Sequence, residues 1–212
     1  MKIAVLVSGG GTNLQALIDE TQKNKNALFK ISVVISSTKD AYALERAKKA
    51  NIPAIVASPF NILGSEKVKL ATREEKNEAV SNKVLDLCKE YKVDAIVLAG
   101  FLTVLQGKII TEYSNRIINL HPALLPKFGG VGMWGHHVHE AVIAAGEKES
   151  GCTIHLVDDG CDTGEILIQK KVPVLPNDTA QTLYERIAPY EHIAMVEGVN
   201  ALAKRFAFFN LS

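Results

Sequence analysis

Length and composition limit the classes of protein to which this chain belongs. It has 212 residues, of which 47% are hydrophobic and 22% charged, and its formal net charge is +1. A chain of this size buries a sizeable core, and we predict one domain over residues 1–212. The near-zero charge excludes a highly charged disordered chain and argues against nucleic acid as a partner.

The N-terminal apolar run, residues 3–7, is too short for the apolar region of a signal peptide or for a membrane span. Three glycines follow shortly after this run and predict a loop, so we interpret the run as a buried first strand. Because the run is so short, we also predict a cytoplasmic location and no membrane contact. The cysteines lie far apart with no C-x-x-C pair, which is typical of free thiols in a reducing compartment. They are Cys88, Cys152 and Cys161.

Short runs rich in Val and Ile alternate with helical stretches through the first 120 residues. The predicted strands are residues 3–7, 31–36, 54–57, 95–99 and 116–119. This alternation predicts an α/β fold, Rossmann-like, with a mostly parallel central sheet and helices on both faces. Ligands of such sheets bind at the carboxyl ends of the strands.

The last third of the chain predicts a different arrangement. Residues 152–157 and 166–174 are typical of two strands, and an acidic loop that contains glycine joins them. Asp178 and Thr179 predict the start of a long closing helix that reaches about residue 206. We expect Pro189 to interrupt that helix, because proline removes a backbone donor.

The loop after the first strand is rich in glycine and opens a helix. It reads Ser-Gly-Gly-Gly-Thr-Asn at residues 8–13, where backbone N–H groups and the positive helix end face one small cavity. A dinucleotide fingerprint needs glycine at Leu14 and an acidic residue after the second strand, where two serines stand. The loop therefore favours a phosphate monoester. The alternative is a tight turn in which Thr12 and Asn13 only cap the helix.

Asn119 and His121 end an apolar strand and lie two residues apart, so both side chains project to the same side. Pro122 and Pro126 stiffen the exit from this strand. An imidazole and a carboxamide aimed at one point donate hydrogen bonds to an oxygen that gains charge when a carbonyl carbon is attacked. The alternative is a histidine with only a structural role.

A carboxylate in the acidic loop would complete this set by favouring the charged imidazole and relaying a proton. Asp158, Asp159 and Asp162 compete for that role on chemistry alone. Since no serine or cysteine stands in the context of a nucleophile, direct transfer fits better than a covalent acyl-enzyme.

Several segments, taken in order, carry a resemblance to a known family. They are Ser-Gly-x-Gly-Thr-Asn-Leu at residues 8–14, Val-Leu-Ala-Gly-Phe at 97–101, Asn-Leu-His-Pro-Ala-Leu-Leu-Pro at 119–126, His155 in its strand, Asp162-x-Gly164 and Glu191-His192. Over nearly its whole length the sequence resembles the folate-dependent formyltransferases. The resemblance implies the formyltransferase fold and small-molecule substrates. The formyl group would pass from the co-substrate 10-formyltetrahydrofolate to the amine of glycinamide ribonucleotide, in purine synthesis, without a metal.

The resemblance also implies roles for individual residues. It places the catalytic set on Asn119, His121 and Asp162 and so chooses Asp162 among the three aspartates. It places the acceptor on two groups, the phosphate on Gly11, Thr12 and Asn13, and the ribose or glycinamide part near Glu191. It places the folate along Leu102, Thr103, Val104 and Leu105, along Asp158, Asp159, Gly160, Cys161 and Asp162, beside Asn119, and near Arg73.

Two segments depart from the family pattern. Residues 128–139 form a longer, glycine-rich segment that suggests a lid, and Pro189-Tyr190 are apolar where polar contacts to substrate are expected. Trp134 in this segment either stacks on a substrate ring or anchors the loop. The segment also holds His136, His137 and His139, whose spacing invites a metal site, although two ligands without a third more often mark surface chemistry.

Other functions stay open from the sequence. A formyltetrahydrofolate hydrolase and a formyltransferase acting on aminoacyl-tRNA share the chemistry, but they usually carry a further domain, so length disfavours both. A protein that binds a phosphate ester without catalysis is an alternative from another class. We expect a monomer or a homodimer.

Overall fold

A computed structural model describes residues 1–209 as one open, twisted sheet with helices packed on it. Residues 210–212, which complete the predicted domain, lie outside the described residues. The strands are β1 (Lys2–Val7), β2 (Lys30–Ser36), β3 (Ala54–Val56), β4 (Ala95–Leu98), β5 (Ile117–His121), β6 (Glu149–Leu156) and β7 (Ile166–Pro173). The helices are α1 (Thr12–Lys23), α2 (Tyr42–Lys49), α3 (Pro59–Leu70), α4 (Arg73–Glu90), α5 (Lys108–Glu112), α6 (His136–Ala144) and α7 (Ala180–Phe209).

The sheet has the order β3-β2-β1-β4-β5-β6-β7, which confirms the predicted mostly parallel α/β fold. Strands β1 to β5 pair in parallel, while β6 and β7 join in antiparallel register. Parallel strands need crossover connections, which explains why helices separate the strands in the first half of the chain, with two helices between β3 and β4. The described part of the chain contains no helix that is long and apolar enough to cross a membrane.

The core lies on both faces of the sheet. Alternate residues of β1 point to opposite sides, so Ile3, Val5 and Val7 join one hydrophobic cluster, while Ala4 and Leu6 join the other. The first cluster is closed by α1, α2, α6 and α7, and the second by α4 and α5. The cysteines are free thiols, as expected, two buried and one exposed.

The closing helix differs from its prediction at one place. Helix α7 continues through Pro189, so the predicted interruption is wrong. Leu183 and Ile187 before the proline, and Ala194 and Met195 after it, are fully buried against the sheet. Burial of these side chains on both sides outweighs the roughly 3 kcal/mol that an interior proline costs a helix.

Candidate active site

Strand pairing brings the first polar groups of the site together. Asn119 on β5 lies opposite His155 on β6. The Nδ1 atom of His155 donates to the carbonyl oxygen of Leu156 at 2.9 Å, and its Nε2 atom lies 3.1 Å from Asn119 Nδ2. Because His155 is only 2% exposed, this ring is fixed on both sides and orients the Asn119 carboxamide.

His121 ends the same strand and is also almost completely buried. Its Nε2 atom donates to the carbonyl oxygen of Phe128 at 2.7 Å, and its Nδ1 atom lies 3.5 Å from Asp162 Oδ2. The ring therefore stands between a loop carbonyl and a carboxylate. The predicted pair Asn119 and His121 lies beside Asp162, as the catalytic hypothesis requires.

Asp162 lies in the loop that follows β6 and turns back over the sheet. Its Oδ1 atom is 3.5 Å from His155 Nε2, and its Oδ2 atom accepts a hydrogen bond from the Gly130 N–H at 3.0 Å. The backbone of Asp162 is left-handed, with φ of 59°, a conformation that Asn and Asp tolerate better than most residues. The loop thus aims this carboxylate at two histidines at once.

The surroundings of these groups set their charge. Burial raises the pKa of Asp162, but the contact with His155 and the hydrogen bond from the Gly130 N–H outweigh it, and the net shift is downward. Burial lowers the pKa of His121, and the facing Asp162 carboxylate opposes that shift without reversing it. Burial therefore disfavours the charged form of His121 in the free protein, and the Asp162 carboxylate is the neighbour that favours it.

The other two aspartates of the acidic loop are placed differently. Asp158 Oδ1 accepts hydrogen bonds from the Gly160 N–H at 3.0 Å and from the Thr163 hydroxyl at 2.7 Å, so it folds the loop onto itself. Asp159 is exposed, as are Gly160 and Cys161. Of the three carboxylates that compete on chemistry, the one that reaches His121 is Asp162.

The Gly-rich loop leaves backbone donors open. Helix α1 starts at Thr12, after Gly11 with φ of 71°, and its first hydrogen bond runs from the Gln15 N–H to the Gly11 carbonyl. No side chain of the described residues caps this helix end. The structure therefore does not support the alternative in which Thr12 and Asn13 only cap the helix. Thr12, the first residue of this helix, is exposed, and the first N–H groups of a helix have no partner within the helix.

Asn13 does not cap the helix because its side chain turns inward to α7. Its Nδ2 atom donates to Glu191 Oε2 at 3.2 Å, across 178 residues of chain, and both side chains are buried. Burial raises the pKa of Glu191, and the hydrogen bond from Asn13 opposes this shift. Within the described residues Asn13 Oδ1 has no hydrogen-bond partner, which leaves a buried acceptor for a ligand to satisfy.

The segment after β4 follows a strand whose last residue, Leu98, lies opposite Asn119. Leu102 and Val104 are 61% and 51% exposed, so both offer apolar surface to a ligand. The side chain of Leu105 instead packs in the core cluster that contains Phe101. This burial argues against contact between the Leu105 side chain and a ligand. The Leu102 N–H donates to Ser8 Oγ at 2.9 Å and so joins this segment to the Gly-rich loop.

Arg73 is the first residue of α4 and is exposed. A hydrogen bond of 3.2 Å from Gln106 Nε2 to the Glu74 carbonyl brings this end of α4 beside the segment after β4. Thr103, within that segment, is half-buried. Arg73 therefore lies next to the segment predicted to hold the donor, although it does not reach the Asp162 centre through any described contact.

The chain is similar to a family of known proteins. A family model described as Formyl transferase matches residues 1–199. The chain belongs to the formyl transferase family. It is similar to the trifunctional purine biosynthetic protein adenosine-3 of Drosophila melanogaster, with 39% identity over 210 residues, 99% of this chain and 14% of that protein. It is also similar to the chloroplastic phosphoribosylglycinamide formyltransferase of Arabidopsis thaliana, with 36% identity over 203 residues, 96% of this chain and 65% of that protein.

Solved structures of this formyl transferase family have the same fold. The phosphoribosylglycinamide formyltransferase of Brucella melitensis matches with a TM-score of 0.81 and 35% identity, covering 95% of each chain. The glycinamide ribonucleotide transformylase 1 of Symbiobacterium toebii matches with a TM-score of 0.82 and 35% identity, covering 96% of this chain and 88% of that one. The chain thus spans most of these bacterial proteins but only 14% of the insect trifunctional protein.

Some groups of this formyl transferase site were not predicted from the sequence. The Phe128 carbonyl and the Gly130 N–H both reach the centre from the glycine-rich segment. Both are backbone groups, which every residue type carries, so no residue type in the sequence indicates them. His155 was noted only as part of a motif, and its register opposite Asn119 was the available signal.

The remaining aromatic residues of that segment pack together. Trp134 is 52% exposed and stands edge-on to His137 at 5.0 Å between ring centroids. The rings of His136 and His139 lie 6.4 Å apart, and both face Tyr184. Among residues 1–209 no group of three His, Cys, Asp or Glu side chains is arranged to hold a metal ion.

Proposed function

We propose that this chain transfers the formyl group of 10-formyltetrahydrofolate to the amine of glycinamide ribonucleotide. The observation that carries the proposal is the convergence of Asn119, His121 and Asp162 in a family of formyl transferases. Such a set matches the needs of amine attack on a formyl carbon, which are an oxyanion donor, a proton acceptor and water exclusion. The names of the relatives support the same acceptor.

The acceptor's phosphate would bind the open N–H groups of Gly11, Thr12 and Asn13. These donors and the positive end of α1 favour an anion without any lysine. Glu191 and the unpartnered Asn13 Oδ1 would then accept hydrogen bonds from the ribose or glycinamide part. Burial raises the pKa of Glu191, and a hydrogen bond from substrate would add to the one that Asn13 already donates.

The folate would lie across the centre on two segments. The exposed Leu102 and Val104 would contact its ring system, with Thr103 and the buried Leu105 supporting that surface. The loop of Asp158, Asp159, Gly160 and Cys161 would border the opposite side and lead to Asp162. Arg73 would approach the acidic tail of the folate from the start of α4.

In the proposed reaction the amine nitrogen attacks the formyl carbon, and negative charge develops on the formyl oxygen. His121 Nε2 and the Asn119 carboxamide donate hydrogen bonds to that oxygen. His121 in the free protein donates to the Phe128 carbonyl, so substrate must displace this carbonyl before the donor is available. This exchange makes the glycine-rich segment part of the catalytic cycle.

With substrate bound, His121 acts as an imidazolium that has taken its proton from solvent, and the Asp162 carboxylate beside it stabilises this positive charge. The attacking nitrogen gives up one proton to a water that donates a hydrogen bond to Asp162. When the tetrahedral intermediate collapses, its bond to the folate nitrogen breaks, this nitrogen takes the proton that the water carried from the amine, and the new formamide remains on the acceptor. The atoms balance without a metal or a covalent enzyme intermediate.

Mixing the protein with 10-formyltetrahydrofolate, with and without glycinamide ribonucleotide, tests the proposal. Loss of the formyl group is followed by absorbance. Deformylation only with the acceptor supports the transfer, whereas deformylation without it indicates a hydrolase. Deformylation that requires aminoacyl-tRNA instead indicates the other transferase. Binding of the phosphate ester with no folate turnover would leave a binding protein without catalysis.

The proposal also covers the extent of the domain, the assembly and the cellular compartment. We keep residues 1–212 as one domain, and a monomer or homodimer as the assembly. We also keep the cytoplasm as the compartment, although two plant relatives are named chloroplastic. Size-exclusion chromatography with light scattering measures the assembly directly.

A further inference from the structure

Helix α2 packs directly against the Gly-rich loop and contacts three successive glycines. The Ala43 N–H donates to the Gly9 carbonyl at 3.1 Å, and Arg46 Nε donates to the Gly10 carbonyl at 2.8 Å. A Cβ atom added to Gly11 would lie 2.6 Å from Ala43 Cβ, so glycine is needed there for this close approach. Helix α2 therefore holds the loop at each of its three glycines.

These contacts determine where the N–H groups of the loop point. In a trans peptide the N–H is antiparallel to the C=O of the same unit. The Gly9 and Gly10 carbonyls both point toward α2, so the N–H groups of Gly10 and Gly11 point away from it. Successive N–H groups aimed to one side form a concave anion site, which the first turn of α1 extends.

Arg46 is itself held in place for this contact. Its NH1 atom donates to Gln15 Oε1 at 3.0 Å, and Gln15 in turn donates to Asp19 at 2.8 Å. The guanidinium also lies over the ring of Tyr42, at 5.1 Å from the centroid. A half-buried, preorganised cation with two hydrogen bonds positions a backbone carbonyl better than a flexible one.

The charge of Arg46 also extends toward the acceptor side of the site. Burial first, and Arg46 second, lower the pKa of His192, the residue after Glu191. The field of this cation therefore reaches His192, beside the residue that would contact the ribose or glycinamide part, and Arg46 also touches the loop that would hold the phosphate. A phosphate carries up to two negative charges, and a nearby fixed cation favours it.

We propose that Arg46 is a positioning residue for the acceptor's phosphate, because it orients the Gly10–Gly11 peptide and adds a positive charge behind it. This inference rests on the proposed function for the identity of the acceptor. It assigns recognition of the phosphate in part to a side chain outside the loop, on helix α2.

Calorimetric titration with glycinamide ribonucleotide tests the inference without requiring turnover. Arg46→Met should weaken binding about 10- to 30-fold, the range expected for loss of one charge-assisted hydrogen bond. Arg46→Lys, which keeps a charged donor, should recover part of the loss. Lys49→Met is the matched control, since Lys49 extends over the same Tyr42 ring from α2 and should bind like the wild type.

A second titration, with glycinamide riboside, separates positioning from a general loss of structure. This ligand lacks the phosphate, so Arg46→Met and the wild type should bind it equally. An equal loss with and without the phosphate, binding by Arg46→Met within twofold of wild type, or no binding by the wild type would each overturn the inference. A wild type that binds the ribonucleotide but does not transfer formyl groups would overturn the proposed function instead.

Discussion

The Gly-rich loop and the centre around His121 lie at the carboxyl ends of β1 and β5 but use different chemistry. The loop leads into a helix start that no described side chain caps, and its shape depends on Gly11 and on packing against α2. The centre consists of buried side chains that hold one another, with Asp162 between two histidines. We therefore expect changes in the loop to alter acceptor affinity and changes in the centre to alter the rate of transfer.

The largest effect should come from Asp162→Asn. Asparagine keeps the shape and tolerates the left-handed backbone, but it cannot stabilise a charged His121. We expect kcat to fall about a thousandfold, with both KM values within about threefold of wild type. Steady-state kinetics on both substrates measure this. Asp86→Asn, on the exposed side of α4, is the control, and an Asp162→Asn enzyme with more than roughly a tenth of the wild-type kcat would contradict the assignment.

The stability of the fold should also be sensitive to acid, because buried histidines resist protonation. Burial lowers the pKa of His139 from 6.5 to about 4, so the unfolded chain binds a proton over this range that the folded chain does not. Stability present above pH 6.5 is therefore lost as the pH falls toward 4. His139→Phe should reduce this loss of stability by about 2 kcal/mol. The remaining loss should persist in the variant, because the pKa values of His121 and His192 are also lowered in the folded chain.

Urea unfolding at pH 7 and pH 4.5 measures this difference. His137→Phe is the control, because His137 is exposed and its imidazole is solvated in both states. Equal loss of stability on acidification in His139→Phe and the wild type would show that His139 is not the group responsible.

The loop should respond through affinity. Gly11→Ala places a Cβ 2.6 Å from Ala43 Cβ at a residue with φ of 71°, so the loop must move away from α2. We expect the KM for the acceptor to rise about tenfold, with kcat and the folate KM nearly unchanged. Gly146→Ala, where φ is 68° but a Cβ meets nothing within 4 Å, imposes the same backbone strain away from the loop. If both variants change the acceptor KM equally, strain rather than loop position is the cause.

The smallest effect lies outside both regions. Asp178 lies just before α7, where its carboxylate accepts a hydrogen bond from the Leu175 N–H at 2.7 Å. The same carboxylate forms an ion pair with Arg186 of α7. This pairing lowers the pKa of Asp178, so its stabilisation is present above the ordinary value of 3.8 and is lost as the pH falls further. Asp178→Asn at pH 7 should lower stability by about 1 kcal/mol, roughly 3 °C in Tm, with unchanged kinetics. Thermal unfolding at pH 7 checks it, and altered kinetics would contradict it.

The parallel half of the fold could be predicted from the sequence because its signals are local. Strands β1 to β5 are short apolar runs, and the glycines after β1 mark a turn whatever the rest of the chain does. The continuous α7 could not be predicted, because a proline is a strong local signal and its compensation comes from contacts with distant strands.

The site was predictable to the extent that it depends on residue type. Asn119 and His121 are two residues apart on one strand, so their common direction follows from strand geometry. Residue chemistry does not distinguish Asp162 from Asp158, since only the folded loop shows which carboxylate reaches His121. The Phe128 carbonyl and the role of Arg46 could not be predicted, because both depend on backbone atoms.

Transfer of a labelled formyl group tests the central claim most directly. The protein is mixed with 10-formyltetrahydrofolate that carries an isotopic label in the formyl group and with glycinamide ribonucleotide, and the products are analysed by mass spectrometry. We predict that the label moves to the ribonucleotide and that His121→Ala abolishes most of this transfer while acceptor binding persists. Label released as free formate, or near-normal transfer by His121→Ala, would contradict the account.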